Sequence, residues 1–174
     1  RNGMVFDVQV SASVIRDKKG APVGLMSSSV DISERKKAEQ KLIESEDKFA
    51  KAFHSSPNML SITRMDDGSI VDVNETFLHL TEYTRQEVIG KKTIDLELWL
   101  NLRDRDEVIE RLKERGRVQD HEVRIKSKSG KIIIVLFSAE IIYLNNEPHL
   151  ISIANNITER KKAEIASQKS LNLV

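Results

Sequence analysis

The chain has 174 residues, and its 28 Lys and Arg against 27 Asp and Glu leave a formal net charge of +1. This balance argues against a nucleic-acid partner, which requires a basic field. The absence of cysteine excludes disulfides, thiolate nucleophiles and a cysteinyl–flavin adduct. The longest apolar run, 132–137, is far too short to span a membrane, so no membrane segment is expected in this fragment. We expect a cytoplasmic module, and the sequence leaves open a membrane anchor elsewhere in a longer parent.

The first 54 residues predict a hairpin followed by a helix. Two strands, 4–15 and 23–32, flank a Lys-Lys-Gly turn. A helix over 33–54 follows, with Ser33 as its N-cap. Apolar and small residues recur in this helix at spacings of three and four. The pattern fits either a short coiled-coil seam or an amphipathic helix that lies on its own domain, and so short a helix does not decide between them.

The remaining residues predict strands that are separated by short helices. Thr84 begins a capping box for one short helix, and Asp104 begins another for a helix that ends at Arg115. Thr158 is expected to cap an exit helix over 158–174. Strands are predicted over 59–65, 70–73, 118–127, 131–143 and 149–157. Two strands, several short helices and then three strands indicate an α+β domain with a five-stranded antiparallel sheet.

One segment of the chain occurs twice. Asp31–Glu39 returns as Asn156–Glu164, and the strand before it matches too, with Gly3–Ile15 over Gly130–Ile142. The offset changes only in a hairpin turn, where length changes are tolerated, and this supports a duplication. We therefore expect one whole domain preceded by the last strands of another like it. The predicted parts are 1–32 for those strands, 33–54 for a linker helix, 55–157 for the complete domain and 158–174 for the exit linker helix.

Four motifs follow one another along the complete domain. The first two are Ile70–Phe77 and Leu80–Lys91, and the last two are Ser129–Lys131 and Asn156–Lys161. In this order they resemble the PAS domain family, the first pair its beginning and the second pair its C-terminal PAC motif. The resemblance covers residues 55–160 as one module and residues 1–36 as the end of another, so it implies PAS domains in tandem.

The resemblance implies a fold, a setting and a role. The PAS fold has short helices on one face of a five-stranded antiparallel sheet, and linker helices flank it. The setting would be a multi-PAS bacterial or archaeal signalling protein, either a sensor histidine kinase of a two-component system or a cyclic-dinucleotide enzyme (a diguanylate cyclase or phosphodiesterase). The chain itself is then not an enzyme, and it carries no P-loop, HExxH or nucleophile motif. Its expected partners are a second copy of itself and the neighbouring PAS and output domains.

Strand alternation and the resemblance together predict a pocket between the sheet and the helices. The residues predicted to line it are His121, Val123, Ile125, Val135, Phe137, Ser152 and Ala154. His121, Val123 and Ile125 alternate with a row of polar residues on the same strand, so they should face inward. The internal repeat indicates that Val135 and Phe137 face inward, and the resemblance implies the same for Ser152 and Ala154. Ordinary close packing is the alternative to a bound ligand, and the sequence names no cofactor. Similar modules that bind haem take their iron ligand from the helix at 104–115, which has no histidine here, and this speaks against haem.

The opposite face of the last two strands predicts an interaction surface. Its apolar residues are Ile132, Ile134, Leu136, Ile151 and Ile153. Such a stripe rarely stays bare, so we expect a homodimer in which the 33–54 helix, from the same or the partner chain, covers it. The hairpin over 4–32 is likewise expected to dock on a sheet or helix of a second copy, because its open edges seek pairing.

Asn156, Ile157 and Thr158 form the predicted signal joint between the last strand and the exit helix. The resemblance implies Asp at the first of these positions, as at Asp31. We therefore expect neutral hydrogen bonds at Asn156 where that Asp would make an ion pair. Two hypotheses follow for the whole module. It either binds a small molecule and passes a signal through the exit helix, or it serves as a ligand-free dimerisation and relay module.

Overall fold

A computed structural model describes residues 5–171, and the chain divides into two units. The first unit ends at Ala50 and the second begins at Lys51. Strands β1 to β7 and helices α1 to α5 are numbered in chain order through both units.

The first unit is an antiparallel hairpin followed by a long helix. The hairpin consists of β1, Val8–Arg16, and β2, Pro22–Asp31, and α1, Ser33–His54, continues into the second unit. Asp17 holds the turn, since its carboxylate accepts hydrogen bonds from the amides of Lys19 and Ala21 at 2.8 and 2.9 Å. The order of elements is the predicted one, although β1 begins at Val8 and Met4 lies outside the described residues.

Both faces of the hairpin are exposed. Val10 and Leu25 have the side-chain type of core residues, yet 65% and 70% of their surface is accessible. The docking of this hairpin on a second copy stays a prediction, and so does the role of α1.

The second unit contains the five-stranded antiparallel sheet that was predicted. Its strands are β3, Met59–Arg64, β4, Ile70–Val73, β5, Arg117–Lys126, β6, Ile132–Leu144, and β7, Glu147–Asn156. They lie in the order β4-β3-β7-β6-β5, and every neighbouring pair is antiparallel. The α+β architecture expected from the sequence is therefore confirmed.

Three helices connect the two groups of strands, and one leaves the last strand. They are α2, Glu75–Thr81, α3, Arg85–Val88, α4, Leu102–Arg115, and the exit helix α5, Thr158–Leu171. Asn74 begins α2, because its side-chain oxygen accepts hydrogen bonds at 3.0 Å from the amides of both Phe77 and Leu60. Across residues 5–171, no helix is at once long enough and apolar enough to cross a lipid bilayer.

The start of α4 differs from the sequence prediction. The helix begins at Leu102 rather than near Asp104, because Asn101 provides its N-cap. The Asn101 side chain accepts a hydrogen bond of 3.0 Å from the amide of Arg103. The capping pattern at Asp104 is therefore wrong as a helix start, and Asp104 lies inside the first turn, where its charge favours the helix dipole.

The core lies between one face of the sheet and the helices α2 and α4. Ile133, Val135 and Ala139 on β6 are at most 5% exposed, as the predicted alternation requires. They pack with residues of the helices, among them Phe77 of α2 and Leu112 of α4. This arrangement leaves room between the sheet and the helices for the cavity described next.

Candidate ligand cavity and signal joint

A cavity of about 400 Å³ lies within the second unit, between the inner face of the sheet and α4. Its volume falls in the range of small-molecule sites. The interior is mainly apolar, and its large apolar side chains include Met59, Phe77, Leu98, Trp99, Phe137 and Leu150. The rings of Trp99 and Phe137 meet edge to face, with centroids 5.6 Å apart.

Five of the residues predicted for a pocket line this cavity. They are Ile125, Val135, Phe137, Ser152 and Ala154. They come from β5, β6 and β7, so one face of three adjacent strands forms the floor. Whether this space holds a ligand stays a prediction.

His121 and Val123 do not line the cavity. Val123 is 1% exposed and packs in the core below it. The His121 side chain, 16% exposed, lies at the edge of the sheet, where its Nε2 is 3.7 Å from a carboxylate oxygen of Glu107 on α4. The register shift of β5 lies between Val118 and His121, so the strand pairs regularly from His121 to Lys126 and the predicted alternation holds there. Alternation gives the face of the sheet on which a side chain lies, but not its distance from the cavity.

The sequence analysis missed a pair of hydroxyl groups inside the cavity. Ser61 on β3 lies directly opposite Ser152 on β7, and their side-chain oxygens are 2.6 Å apart. Thr81 of α2 also lines the cavity, although its hydroxyl donates to the carbonyl of Phe77 at 2.7 Å. The alternation of Met59 and Ser61 could have indicated that Ser61 faces the same side as the cavity. The pairing of β3 with β7, however, joins distant segments, and one sequence does not reveal it.

Charged side chains surround the solvent-exposed opening of the cavity, and we call these residues the charged rim. They are Arg64, Asp66, Asp67, Arg105 and Lys113. The Arg64 guanidinium lies 3.2 Å from Asp66 and lowers the pKa of that carboxyl. Hydrogen bonds from Ser69 lower the pKa of Asp67, so both carboxylates are charged at neutral pH.

The signal joint joins β6, β7 and α5 through the backbone of Ile134. The Ile134 carbonyl accepts a hydrogen bond of 2.9 Å from the amide of Ile157, as expected for a continuing strand pair. In a regular strand pair the Ile157 carbonyl would in turn accept a hydrogen bond from the Ile134 amide. Here that carbonyl accepts from the amide of Lys161 at 2.9 Å, which is the first hydrogen bond of α5. The Ile134 amide donates instead to the Thr158 hydroxyl at 3.0 Å.

Thr158 is therefore not the cap that the sequence predicted. Its hydroxyl serves β6, and the amide of Thr158 is satisfied instead by the side chain of Asn156 at 3.0 Å. The same Asn156 oxygen accepts the Thr158 hydroxyl proton at 2.6 Å. The joint thus has Asn156 as the cap and Thr158 as the link to the neighbouring strand.

The first unit repeats these contacts at Asp31, Ile32 and Ser33. The Ile32 amide donates to the Asp7 carbonyl and the Ser33 hydroxyl accepts from the Asp7 amide, both at 2.9 Å. Asp31 accepts from the Ser33 amide at 2.9 Å, and this hydrogen bond is the main reason that its pKa is lowered. Next to this joint, Lys36 pairs with the carboxylate of Asp7 at 2.9 Å.

Comparison with known proteins decides the family. The pattern of the PAS domain family matches residues 57–159 of this chain, well over half of its length. The chain belongs to the PAS domain family. The matched range contains the whole sheet, the cavity and the residues of the signal joint.

A curated relative of this PAS protein is a sensor. The methyl sulfide methyltransferase-associated sensor of Methanosarcina acetivorans is 30% identical over 138 residues, which are 78% of this chain. That stretch is 13% of the relative, so the chain spans only a small part of its length.

Solved structures share the PAS fold at lower identity. The PAS domain of an HTR-like protein from Haloarcula marismortui is 24% identical with a TM-score of 0.58, and the match covers 70% of this chain and 99% of that one. An RNA-binding light-oxygen-voltage receptor is 15% identical with a TM-score of 0.61, over 97% of this chain and 44% of that one. A PAS domain from a two-component sensor histidine kinase is 18% identical with a TM-score of 0.56, over 65% of this chain and 97% of that one.

The outer face of the PAS sheet carries the predicted apolar stripe. Ile132 and Ile153 are 39% and 44% exposed, and Ile134, Leu136 and Ile151 are half-buried. Within residues 5–171, no cluster of three or more His, Asp or Glu side chains is arranged to hold a metal ion.

Proposed function

We propose that this chain is a sensory module in which the state of the cavity is passed through the signal joint to α5. One observation carries the proposal: the cavity and the joint share the same strands. Val135 lines the cavity and is the direct partner of Asn156, and the next residue, Ile134, binds Thr158. A ligand that shifts β6 or β7 would therefore act on the first turn of α5 without intermediate elements.

The coupling requires that a ligand interacts differently with two states of the joint. A mass spectrum of the natively purified and then denatured protein tests whether a small molecule occupies the cavity. A stoichiometric small molecule supports the sensor. A protein that is free of small molecules, and whose melting temperature no metabolite mixture raises, supports a module that relays a signal from a neighbouring domain.

The outer apolar stripe favours the second candidate function, a ligand-free dimerisation and relay module. Fully burying a side chain such as Ile132 or Ile153 contributes about 1.5–3 kcal/mol, and both are largely exposed in the single chain. We propose that the stripe forms a homodimer interface with α1 of the same or the partner chain. The dimer is compatible with a sensor, so the two functions differ only in whether a ligand binds.

Sedimentation measurements test this interface. Ile134→Asp places a charge in the stripe and should convert a dimer to a monomer or unfold the domain. Val71→Asp is the matched control, because Val71 is 41% exposed on β4, at the far edge of the sheet. An Ile134→Asp protein with wild-type mass and melting temperature would exclude the stripe as an interface.

We further propose that residues 1–32 end a preceding PAS domain, so that the chain comes from a tandem array. The recurrence of the Ile134 contacts at Asp7 supports this proposal. Hydrogen exchange of the full chain tests whether the β1–β2 hairpin docks on a second copy. Protection of its amides beyond that of an isolated hairpin supports docking. Rapid exchange throughout residues 5–32 counts against it.

The output is proposed to lie in another part of the parent protein. A histidine kinase is the first candidate and a cyclic-dinucleotide enzyme the second, with the present chain as a non-enzymatic, cytoplasmic input module. Autophosphorylation and cyclic-dinucleotide synthesis, assayed on the intact parent, separate the two.

A further inference from the structure

Arg105 is the least exposed cation of the charged rim, and it has only one distant ion-pair partner. Its side chain is only 24% exposed, and its ion-pair partner is the neighbouring Asp106, at a long 3.7 Å. In the part of the chain that the structure describes, no oxygen accepts a hydrogen bond from its guanidinium. A partly buried guanidinium has five N–H donors and is stabilised when a planar anion accepts from them.

The guanidinium lies at the opening of the cavity. Its Nη2 would be 3.8 Å from a β-carbon placed on Gly68, and the Thr93 hydroxyl would be 4.0 Å from the same point. Gly68 and Thr93 both line the cavity, so this nitrogen is next to the space that a ligand would enter.

Arg64, Asp66 and Asp67 are engaged with partners, whereas Lys113 is exposed and can be satisfied by water. Arg64 contacts Asp66 at 3.2 Å and Glu147 at 3.4 Å. The Asp67 carboxylate accepts from the Ser69 amide at 2.9 Å. Three cations and two carboxylates line the rim, and two further carboxylates, Glu147 and Asp106, pair with Arg64 and Arg105. The carboxylates that surround the guanidinium would repel the second charge of a dianion more than the single charge of a monoanion.

The space below Arg105 suits an apolar group. Trp99, Phe137 and Leu150 are among the residues that line it, and the Ser61–Ser152 pair adds two hydroxyl groups between β3 and β7. Apolar side chains with a few placed polar groups are typical of small-molecule sites.

We propose that the cavity binds a small monocarboxylate with an apolar, preferably aromatic, body, whose carboxylate pairs with the Arg105 guanidinium. The proposal rests on the proposed role of the cavity as a sensory site and adds the chemical class of its ligand. Arg105 is the specificity residue, because a guanidinium binds a carboxylate through two parallel hydrogen bonds.

Calorimetry and melting temperature of the full 174-residue chain test this assignment. The probes are phenylacetate, indole-3-acetate and octanoate, each paired with its neutral primary amide, and phenyl phosphate as a dianion. We expect at least one acid to bind at least tenfold more tightly than its amide and than phenyl phosphate. Arg105→Gln should remove that preference, and Arg105→Lys should retain part of it.

Arg103→Gln is the matched control, because Arg103 is an exposed arginine in the same turn of α4 and does not line the cavity. It should bind like the wild type, with an unchanged circular dichroism spectrum in all variants. Equal binding of acid and amide, tighter binding of phenyl phosphate, or an unaltered affinity in a folded Arg105→Gln protein would overturn the assignment. If no acid binds, the ligand class is wrong. The mass spectrum then separates that failure from the failure of the sensor, since another retained molecule would leave the sensor intact.

Discussion

The two strand–helix joints of this chain have the same hydrogen bonds but different surroundings. In each, an isoleucine amide continues the strand pair, and a Ser or Thr hydroxyl replaces the carbonyl that has become the first acceptor of the helix. An Asp or Asn side chain two residues earlier accepts from the amide of that Ser or Thr. The recurrence shows that the same three-residue pattern, paired with one residue of a neighbouring strand, marks the change from strand to helix at both places.

The two joints differ in how deeply their isoleucine is buried. Ile157 is 3% exposed, whereas Ile32 is only half-buried, in a hairpin whose strands are exposed on both faces. The hydrogen bonds of a joint therefore need only one neighbouring strand, whereas burial of its isoleucine requires the complete sheet. We expect the second joint to be coupled to the stability of its domain and the first to be only locally stable.

The two joints also differ in charge. The first joint has the carboxylate of Asp31 where the second has the neutral Asn156. In the first, Lys36 pairs with Asp7, which occupies the position equivalent to Ile134. Since Ile134 cannot accept this contact, Lys161 reaches across to Glu122 on β5 at 2.8 Å. The exit helix is thus connected to a third strand.

Truncation of the isoleucine anchor should give the largest difference between the joints. Ile157→Ala leaves a cavity at a buried position and should lower the free energy of unfolding by about 2–5 kcal/mol. Ile32→Ala should lower the free energy of unfolding by less than half as much. Urea unfolding measures both, and equal losses would contradict the burial difference.

Removal of the Thr158 hydroxyl should have a smaller effect. Thr158→Ala leaves the Ile134 amide without its acceptor and should lower the free energy of unfolding by about 1 kcal/mol. Thr158→Ser is the control that the first joint supplies, because Ser33 makes the same contact there. Hydrogen exchange at Ile134 should accelerate in the alanine variant alone, and unchanged exchange would refute the hydroxyl link.

Asn156→Asp should give the second joint the pH dependence of the first. The donors of Thr158 would lower the folded-state pKa of the new carboxyl below its unfolded value, as Ser33 does for Asp31. The added stability is then complete above the unfolded pKa of about 3.9 and is lost as the pH falls through the lowered folded value. Unfolding of variant and wild type at pH 7 and pH 3 measures this difference, and a gain that is as large at pH 3 as at pH 7 would argue against it.

The Lys161–Glu122 ion pair should contribute least. Its side chains are 30% and 43% exposed, so Lys161→Met should change the free energy of unfolding by about 0.5 kcal/mol or less. Lys36→Met is the control at the first joint. A loss near 2 kcal/mol would mean that the link to β5 is structural rather than a surface contact.

The sequence predicted what depends on local pattern. The turn of the first hairpin and the capping box at Thr84 follow from turn and capping chemistry, the inward row of β6 follows from the internal repeat, and the structure has all three. Where two residues competed for one role, the choice was wrong: Asn101 rather than Asp104 starts α4, and Asn156 rather than Thr158 caps α5. The spacing of residues along the sequence does not show which of two neighbouring candidates caps a helix.

Features that depend on distant pairing were missed. Ser61 meets Ser152 only because β3 lies beside β7, and Arg105 reaches the cavity only because α4 crosses the β3–β4 turn. His121 was assigned to the pocket by alternation, which places it on the inner face of β5 but does not show that it lies beyond the cavity lining, next to Glu107. These facts arise from packing between segments that are far apart in the chain.

The central claim, that the signal joint connects the cavity to the output, is tested most directly in the intact parent protein. Its output activity should be measured over the full range of its stimulus for the wild type, Thr158→Ala and Thr158→Ser. The account predicts that the alanine variant shifts the basal output or the stimulus response while the serine variant follows the wild type. Wild-type output from Thr158→Ala across the whole range would contradict it.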